Sequence, residues 1–170
     1  MDITQLILDD HHEQRKMFAL LDDVDRDDTD ALAVIWDRLR ILLEVHAEAE
    51  EQLFYPRLLE VGEGATDAYD AEDETEDAIS DHNDIRDGIA EAERHEVGSP
   101  GWWQGIDTTR EQNSRHMAEE ERQALADFRR HADDALRHDL GVAFATFEAR
   151  HAGGIRSESK DPDGYIEQHR

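Results

Sequence analysis

The chain is 170 residues long, enough to bury one apolar core without covalent staples, and it has no cysteine, which excludes thiolate metal sites, disulfides and redox thiols. Acidic residues outnumber basic ones 44 to 18, and the resulting formal charge of -26 repels phosphate backbones and anionic membrane surfaces, which argues against nucleic-acid binding. No stretch approaches the ~18 consecutive apolar residues of a membrane span, and the acidic N-terminus lacks a secretion pattern, so the expectation is a soluble cytoplasmic protein.

Apolar residues recur with the helical period of 3.6, and alternating runs rich in valine or isoleucine are nearly absent, so the fold class is all-α. The first helix is anchored by Ile3, Ile7, Phe18 and Leu21 and ends in the aspartate-rich stretch Asp22 to Asp30. The second starts at Thr29 or Asp30, carries Ile35, Leu39, Leu42 and Leu53 on one face, is kinked by Pro56 and stops at Gly62 and Gly64. The third runs from Asp70 to Arg94 on Ile79, Ile85 and Ile89. After the break Gly98-Ser99-Pro100-Gly101, a fourth helix is expected from Trp102 to Arg130, with Ile106, Leu125 and Phe128 inward and the two tryptophans stapling the bundle end. A fifth, Asp133 to His151, carries Leu136, Leu140, Phe144 and Phe147 and packs outside. Short connections between the first four predict an up-down-up-down four-helix bundle, with one domain over residues 1–152 and a C-terminal tail over 153–170.

The chain holds ten histidines, and the phase of each helix decides which of them face the core. In the stripe Ile35, Leu39, Leu42, His46, Ala49, Leu53, His46 takes a place an aliphatic residue would fill, and Glu50 lies one turn on, where both side chains can reach a common centre. The stripe Ile106, Thr109, Asn113, His116, Glu120, Ala124, Phe128 repeats the arrangement with His116 and Glu120. His82 lies inward between Ala78 and Ile85. On the first helix His11 shares a stripe with Ile7, Gln14 and Phe18, whereas His12 lies on a polar line, so His11 is preferred. The chain thus reads as two copies of a half-site, Asp-His-x-x-x-Arg at residues 10–15 and 81–86, each followed by His-x-x-x-Glu on the next helix. Chance supplies about one His-x-x-x-Glu pair in such a composition, so the weight rests on six inward side chains at one level. Burying four imidazoles and two carboxylates is costly unless something satisfies them, and a metal centre with nitrogen and oxygen ligands does so. His95, His131, His138, His151 and His169 read as solvated, and Glu148-x-x-His151 is the one Glu-x-x-His match to the ferritin-like pattern.

His11, then His46-x-x-x-Glu50 running into Glu51-Gln52-Leu53-Phe54-Tyr55-Pro56, then His82, then His116-x-x-x-Glu120, resembles the hemerythrin-like, or HHE cation-binding, domain over roughly Ile3 to Arg130. The resemblance implies a carboxylate-bridged non-haem di-iron centre: two oxo- or hydroxo-bridged iron ions, with zinc or manganese as alternatives. Glu50 and Glu120 would bridge, and His11, His46, His82 and His116 would be terminal ligands. Oxygen-carrying hemerythrins have a second histidine one turn from the first on the third helix, where this chain has Ala78 and Arg86. The missing position is open or filled by His12, Glu51, Glu121 or Tyr55, and reversible oxygen carriage gives way to binding or reaction with O2, H2O2 or NO, including catalase-like peroxide decomposition. The alternative is a non-catalytic iron-sensing or iron-storage module. Two lysines against 16 arginines, and more aspartate than glutamate, add the expectation of a salt-rich environment.

Overall fold

The computed structural model describes residues 1–66 and 70–170. Helices dominate and no strand occurs among the described residues: α1 (Ile3–Asp23), α2 (Thr29–Ala49), a π-helical turn (Glu50–Phe54), α3 (Tyr55–Val61), α4 (Ala71–Glu93), α5 (Pro100–Arg122), α6 (Ala124–His131), α7 (Asp134–Arg150) and α8 (Pro162–His169). Side chains set most of the starts. Asp2 accepts from Thr4 N, Asp28 from Ala31 N, Ser99 from Trp102 N and Asp133 from Leu136 N, while Asp70 and Asp73 form a reciprocal capping box on α4.

Two apolar clusters divide the interior. One gathers Ile3, Ile7, Phe54, Tyr55, Leu58, Ile79, Leu125 and Phe128, the other Phe18, Leu21, Leu32, Trp36, Leu39, Ile85, Ile89, Trp102 and Ile106. Helix α1 runs from the first cluster to the second, α2 returns, α4 repeats the outward run and α5 the return, which is the expected up-down-up-down bundle. Every one of the four helices passes its histidine through the layer between the clusters, so the polar side chains meet at mid-height. Trp36 and Trp102 stack edge to face with centroids 6.1 Å apart and close the far end. There Gly105 lets α5 approach α4: a Cβ on it would stand 2.4 Å from Ala92 N.

Four features differ from the sequence expectation. The second helix does not merely kink at Pro56: it passes through the π turn first. The fourth breaks at Gln123 (φ -110°, ψ -86°), so α6 departs at an angle and Leu125 and Phe128 turn into the first cluster. The face of α2 is centred on Leu32, Trp36, Leu39 and Leu43, with Ile35 only half-buried. Residues 153–170, expected as a tail, carry α8, whose Tyr165 and Ile166 are buried and which packs on α4. Helix α7 lies outside the four as expected, against α1 and α2, and seats Phe144 in the interior.

Candidate metal centre

The π turn explains how two consecutive glutamates are both buried. Pro56 has no N–H to give the carbonyl of Gln52, and the chain takes an i to i-5 bond from Tyr55 N to Glu50 O instead. The extra residue in that turn brings Glu50, Glu51, Phe54 and Tyr55 all inward, with exposures of 1% or less.

Six side chains converge in the layer between the apolar clusters. His46 Nε2 is 2.9 Å from Glu50 Oε1, His82 Nε2 3.2 Å from Glu50 Oε2, and His11 Nε2 3.2 Å from Glu120 Oε2. His82 Nε2 and His116 Nε2 lie 3.1 Å apart, and His116 Nε2 is 4.0 Å from Glu120 Oε2. Two sets of donors form, His11, His46, Glu50 and Glu120 in one and Glu50, His82 and His116 in the other, with ligand-competent atoms within 4.8 Å in each. Glu50 belongs to both and offers a different oxygen to each.

These contacts are short, yet several are not hydrogen bonds. His11 Nε2, His46 Nε2, both oxygens of Glu50 and Oε2 of Glu120 are buried without a hydrogen-bond partner among the described residues. Buried polar atoms are almost always paired, and five orphans aimed at one spot mark a place where something else satisfies them. Adjacent donors around an ion with bonds of ~2.1 Å stand about 3 Å apart, the spacing seen here, and a set of imidazoles and carboxylates suits iron. The residues present fit a metal.

The outer nitrogen of every histidine points to a carboxylate. His11 Nδ1 meets Glu121 at 2.9 Å, His46 Nδ1 meets Asp10 at 2.9 Å, His82 Nδ1 meets Glu51 at 2.8 Å, and His116 Nδ1 faces Asp81 at 3.7 Å. A carboxylate there fixes the Nδ1–H tautomer, so the Nε2 lone pair faces the centre. Cations hold three of these carboxylates in turn: Arg15 on Glu121, Arg86 and Lys160 on Glu51, Arg115 on Asp81. The repeat in the sequence becomes a repeat in space. Each aspartate of Asp-His-x-x-x-Arg serves the histidine of its own half, Asp10 to His46 and Asp81 to His116, whereas each arginine reaches across, Arg15 to Glu121 and Arg86 to Glu51.

Electrostatics follow from this wiring. Burial works against ionisation of Glu50, but the His46 and His82 rings hold its carboxyl well below the usual range. Burial likewise opposes the charge on His82, and the glutamates at 50 and 51 overcome it, raising the ring to about 9. The His11 ring, helped by Arg15 and opposed by burial, draws Glu121 down to about 2. Tyr55, fully buried beside Glu120 and Glu50, has its phenol held well above its ordinary value and donates to Glu120 Oε1 at 2.6 Å. On the opposite side Phe144 packs edge-on against His46 at 5.9 Å and screens it from solvent.

All six residues singled out in the sequence meet in this layer. Of the further candidates, His12 points to solvent on the outer face of α1, Glu51 and Glu121 hold outer nitrogens rather than facing the centre, and Tyr55 reaches it only through Glu120. Sequence reasoning gave Asp10, Asp81, Arg15 and Arg86 no task, although their repeated spacing was the signal. It left Lys160 and Tyr165 in a tail: Lys160 Nζ pairs with Glu51, and the Tyr165 hydroxyl donates to the Glu51 carbonyl at 2.5 Å. It also dismissed Glu148, whose carboxyl burial and Asp10 push up to about 8 and which groups with Asp10 and His46. His95, His131, His138, His151 and His169 lie away from the centre, on local partners such as Glu91, Asp127 and the Phe147 carbonyl.

No curated protein and no solved structure shows significant similarity to the chain. Comparison with protein families matches residues 2–139 to the hemerythrin HHE cation-binding domain, a span that contains all six converging side chains. The match covers most of the chain and encloses its buried histidine and glutamate cluster, and the chain belongs to the hemerythrin HHE cation-binding domain family.

Proposed function

We propose that the chain is a non-haem di-iron protein that binds or reacts with O2, H2O2 or NO. His11, His46, Glu50 and Glu120 would hold one ion, and His82, His116 and Glu50, with Glu120 turned towards them, the other. The observation that carries the reading is the convergence of five buried, unpartnered nitrogen and oxygen atoms in one layer of a family bundle. Iron supplies redox chemistry and affinity for diatomic and peroxide ligands when bound.

The chain's own residues shape what happens there. The carboxylates on the outer nitrogens of His11, His46 and His82 keep those three rings in one tautomer. The Tyr55 hydroxyl keeps its proton and holds it on Glu120 Oε1, where it can be shared with a ligand at the centre. The positions one turn either side of His82 are Ala78 and Arg86, and Arg86 is held by Glu51, so a position at the centre would be left to an exogenous ligand. Phe144 and the apolar clusters above and below limit water.

The test is to load the purified protein with ferrous iron, add hydrogen peroxide and follow oxygen release, with NO binding followed by its optical bands. Oxygen release above that of the same iron in buffer, or a saturable NO spectrum, supports the reading. Tight iron binding with neither response removes the reactivity and leaves storage or iron sensing.

A further inference from the structure

A narrow crevice between α4 and the α5–α6 junction reaches the centre from outside, with room for about one water-sized occupant. Its lining runs from exposed Asp77 through half-buried Glu119 to buried Glu74, and ends on His116 and Glu120. No lysine or arginine lines it, and Arg115, next to His116 on α5, is taken up by Asp81 and Asp84. Glu74 is 3% exposed; its Oε1 accepts from Ala65 N at 2.8 Å, but its Oε2 has no hydrogen-bond partner among the described residues. Burial, against the pull of Ala65 N–H and with Asp127, Asp70 and Asp73 adding repulsion, pushes this carboxyl up to about 7. Glu74 lines this space, and a cation arriving there would displace the proton and pair the oxygen that the described residues leave unpartnered.

The other approaches are less suited to an ion. The crevice along α7, lined by Asp10 and Glu148, also carries Arg38, and Phe144 stands between α7 and His46. The cavity beneath α8 reaches Glu51, where Lys160 and Arg86 already supply positive charge.

We propose that the α4–α5 crevice is the path by which divalent cations enter, and that Glu74 is a transit site that takes the ion from Asp77 and Glu119 before His116 and Glu120 receive it. The inference rests on the metal-centre reading above. A passage lined with one sign of charge in low-dielectric walls concentrates cations and raises the rate of capture. The transit residue acts on the rate of filling and has no part in the final coordination.

The experiment mixes metal-free protein with cobaltous ion in a stopped-flow instrument, follows the visible ligand-field bands, and measures the final metal content. Glu74→Gln, which keeps the shape and the bond from Ala65, is expected to slow filling about tenfold with the final stoichiometry unchanged. Glu119→Gln, nearer the mouth, slows it less, and Glu111→Gln on the exposed face of α5 leaves it at the wild-type rate. Wild-type rates in both Glu74→Gln and Glu119→Gln, or a lowered final stoichiometry in Glu74→Gln, would overturn the path while leaving the centre standing. Failure of the wild-type protein to take up metal would overturn both.

Discussion

Side chains that do not face the candidate metal centre do much of the positioning. Glu121 is partly exposed and bound to both Arg15 and His11, so Glu121→Ala frees the His11 ring to turn without opening the core. Metal affinity, measured by competition with a chelator, should fall about 10- to 100-fold with the helical content intact; unchanged affinity would show that the ring needs no such anchor. Glu74 makes a separate prediction. Its folded value of about 7 lies above the ordinary 4.5, so between those pH values the folded chain holds a proton that the unfolded chain has released. The contribution is complete below about pH 4.5 and is lost as pH rises through 7. Glu74→Gln, neutral throughout, should leave the metal-free protein's urea stability near pH 4.5 almost unchanged and raise it by about 3 kcal/mol at pH 8. An equal effect at both pH values would contradict the assignment. At this scale the sequence was informative wherever a helical phase was unambiguous: His11 was separated from His12 because Ile7, Gln14 and Phe18 define a stripe that excludes the latter. Glu51 and Glu121 were placed among possible ligands because nothing in one-dimensional spacing distinguishes the inner from the outer nitrogen of a histidine ring.

Among the helices, the long amphipathic ones were readable, since apolar residues at helical spacing located α1, α2, α4 and α5, although α2 is capped by Asp28 rather than Thr29 or Asp30 and turns Trp36 and Leu43 inward. The departures were harder to read. The π turn has a local trigger in Pro56, whereas Leu125 and Phe128 beyond the break at Gln123, and Tyr165 and Ile166 of α8, pack on residues distant in the chain that no local propensity announces. Pro56 signals a disturbance but not its form, and a stretch as polar as Ser157 to Asp161 gives no hint that Ser157 and Lys160 will settle on Arg86 and Glu51. The packing of α4 on α5 is the element-scale feature most open to test. In Gly105→Ala the new methyl meets the backbone of Ala92 rather than a movable side chain, so the helices must separate. Overpacking of this kind costs about 1–3 kcal/mol, read as a shift in the urea midpoint, whereas Gly153→Ala, with nothing within 4 Å, should stay close to wild type. A neutral Gly105→Ala would mean the helices are not in such close contact.

For the whole molecule, the net charge of -26 is spread over a bundle whose interior is already rich in carboxylates, so self-repulsion opposes folding and salt relieves it. The melting temperature should rise between low and molar potassium chloride; no rise would contradict a chain adapted to salt. Internal duplication is the other whole-molecule feature. The halves 10–51 and 81–121 supply matching sets of aspartate, histidine, arginine and paired glutamates, and each half completes the other's centre through Arg15 on Glu121 and Arg86 on Glu51. Glu50 and Glu120 hold corresponding places in the two halves, which makes them the carboxylates to remove. The most direct measurement is therefore the metal content of protein reconstituted with ferrous iron, for wild type and for Glu50→Ala and Glu120→Ala. Two irons per chain in the wild type, with at least one lost in each variant, is the predicted result; no bound iron in the wild type, or full retention in both variants, would contradict a centre built on these carboxylates.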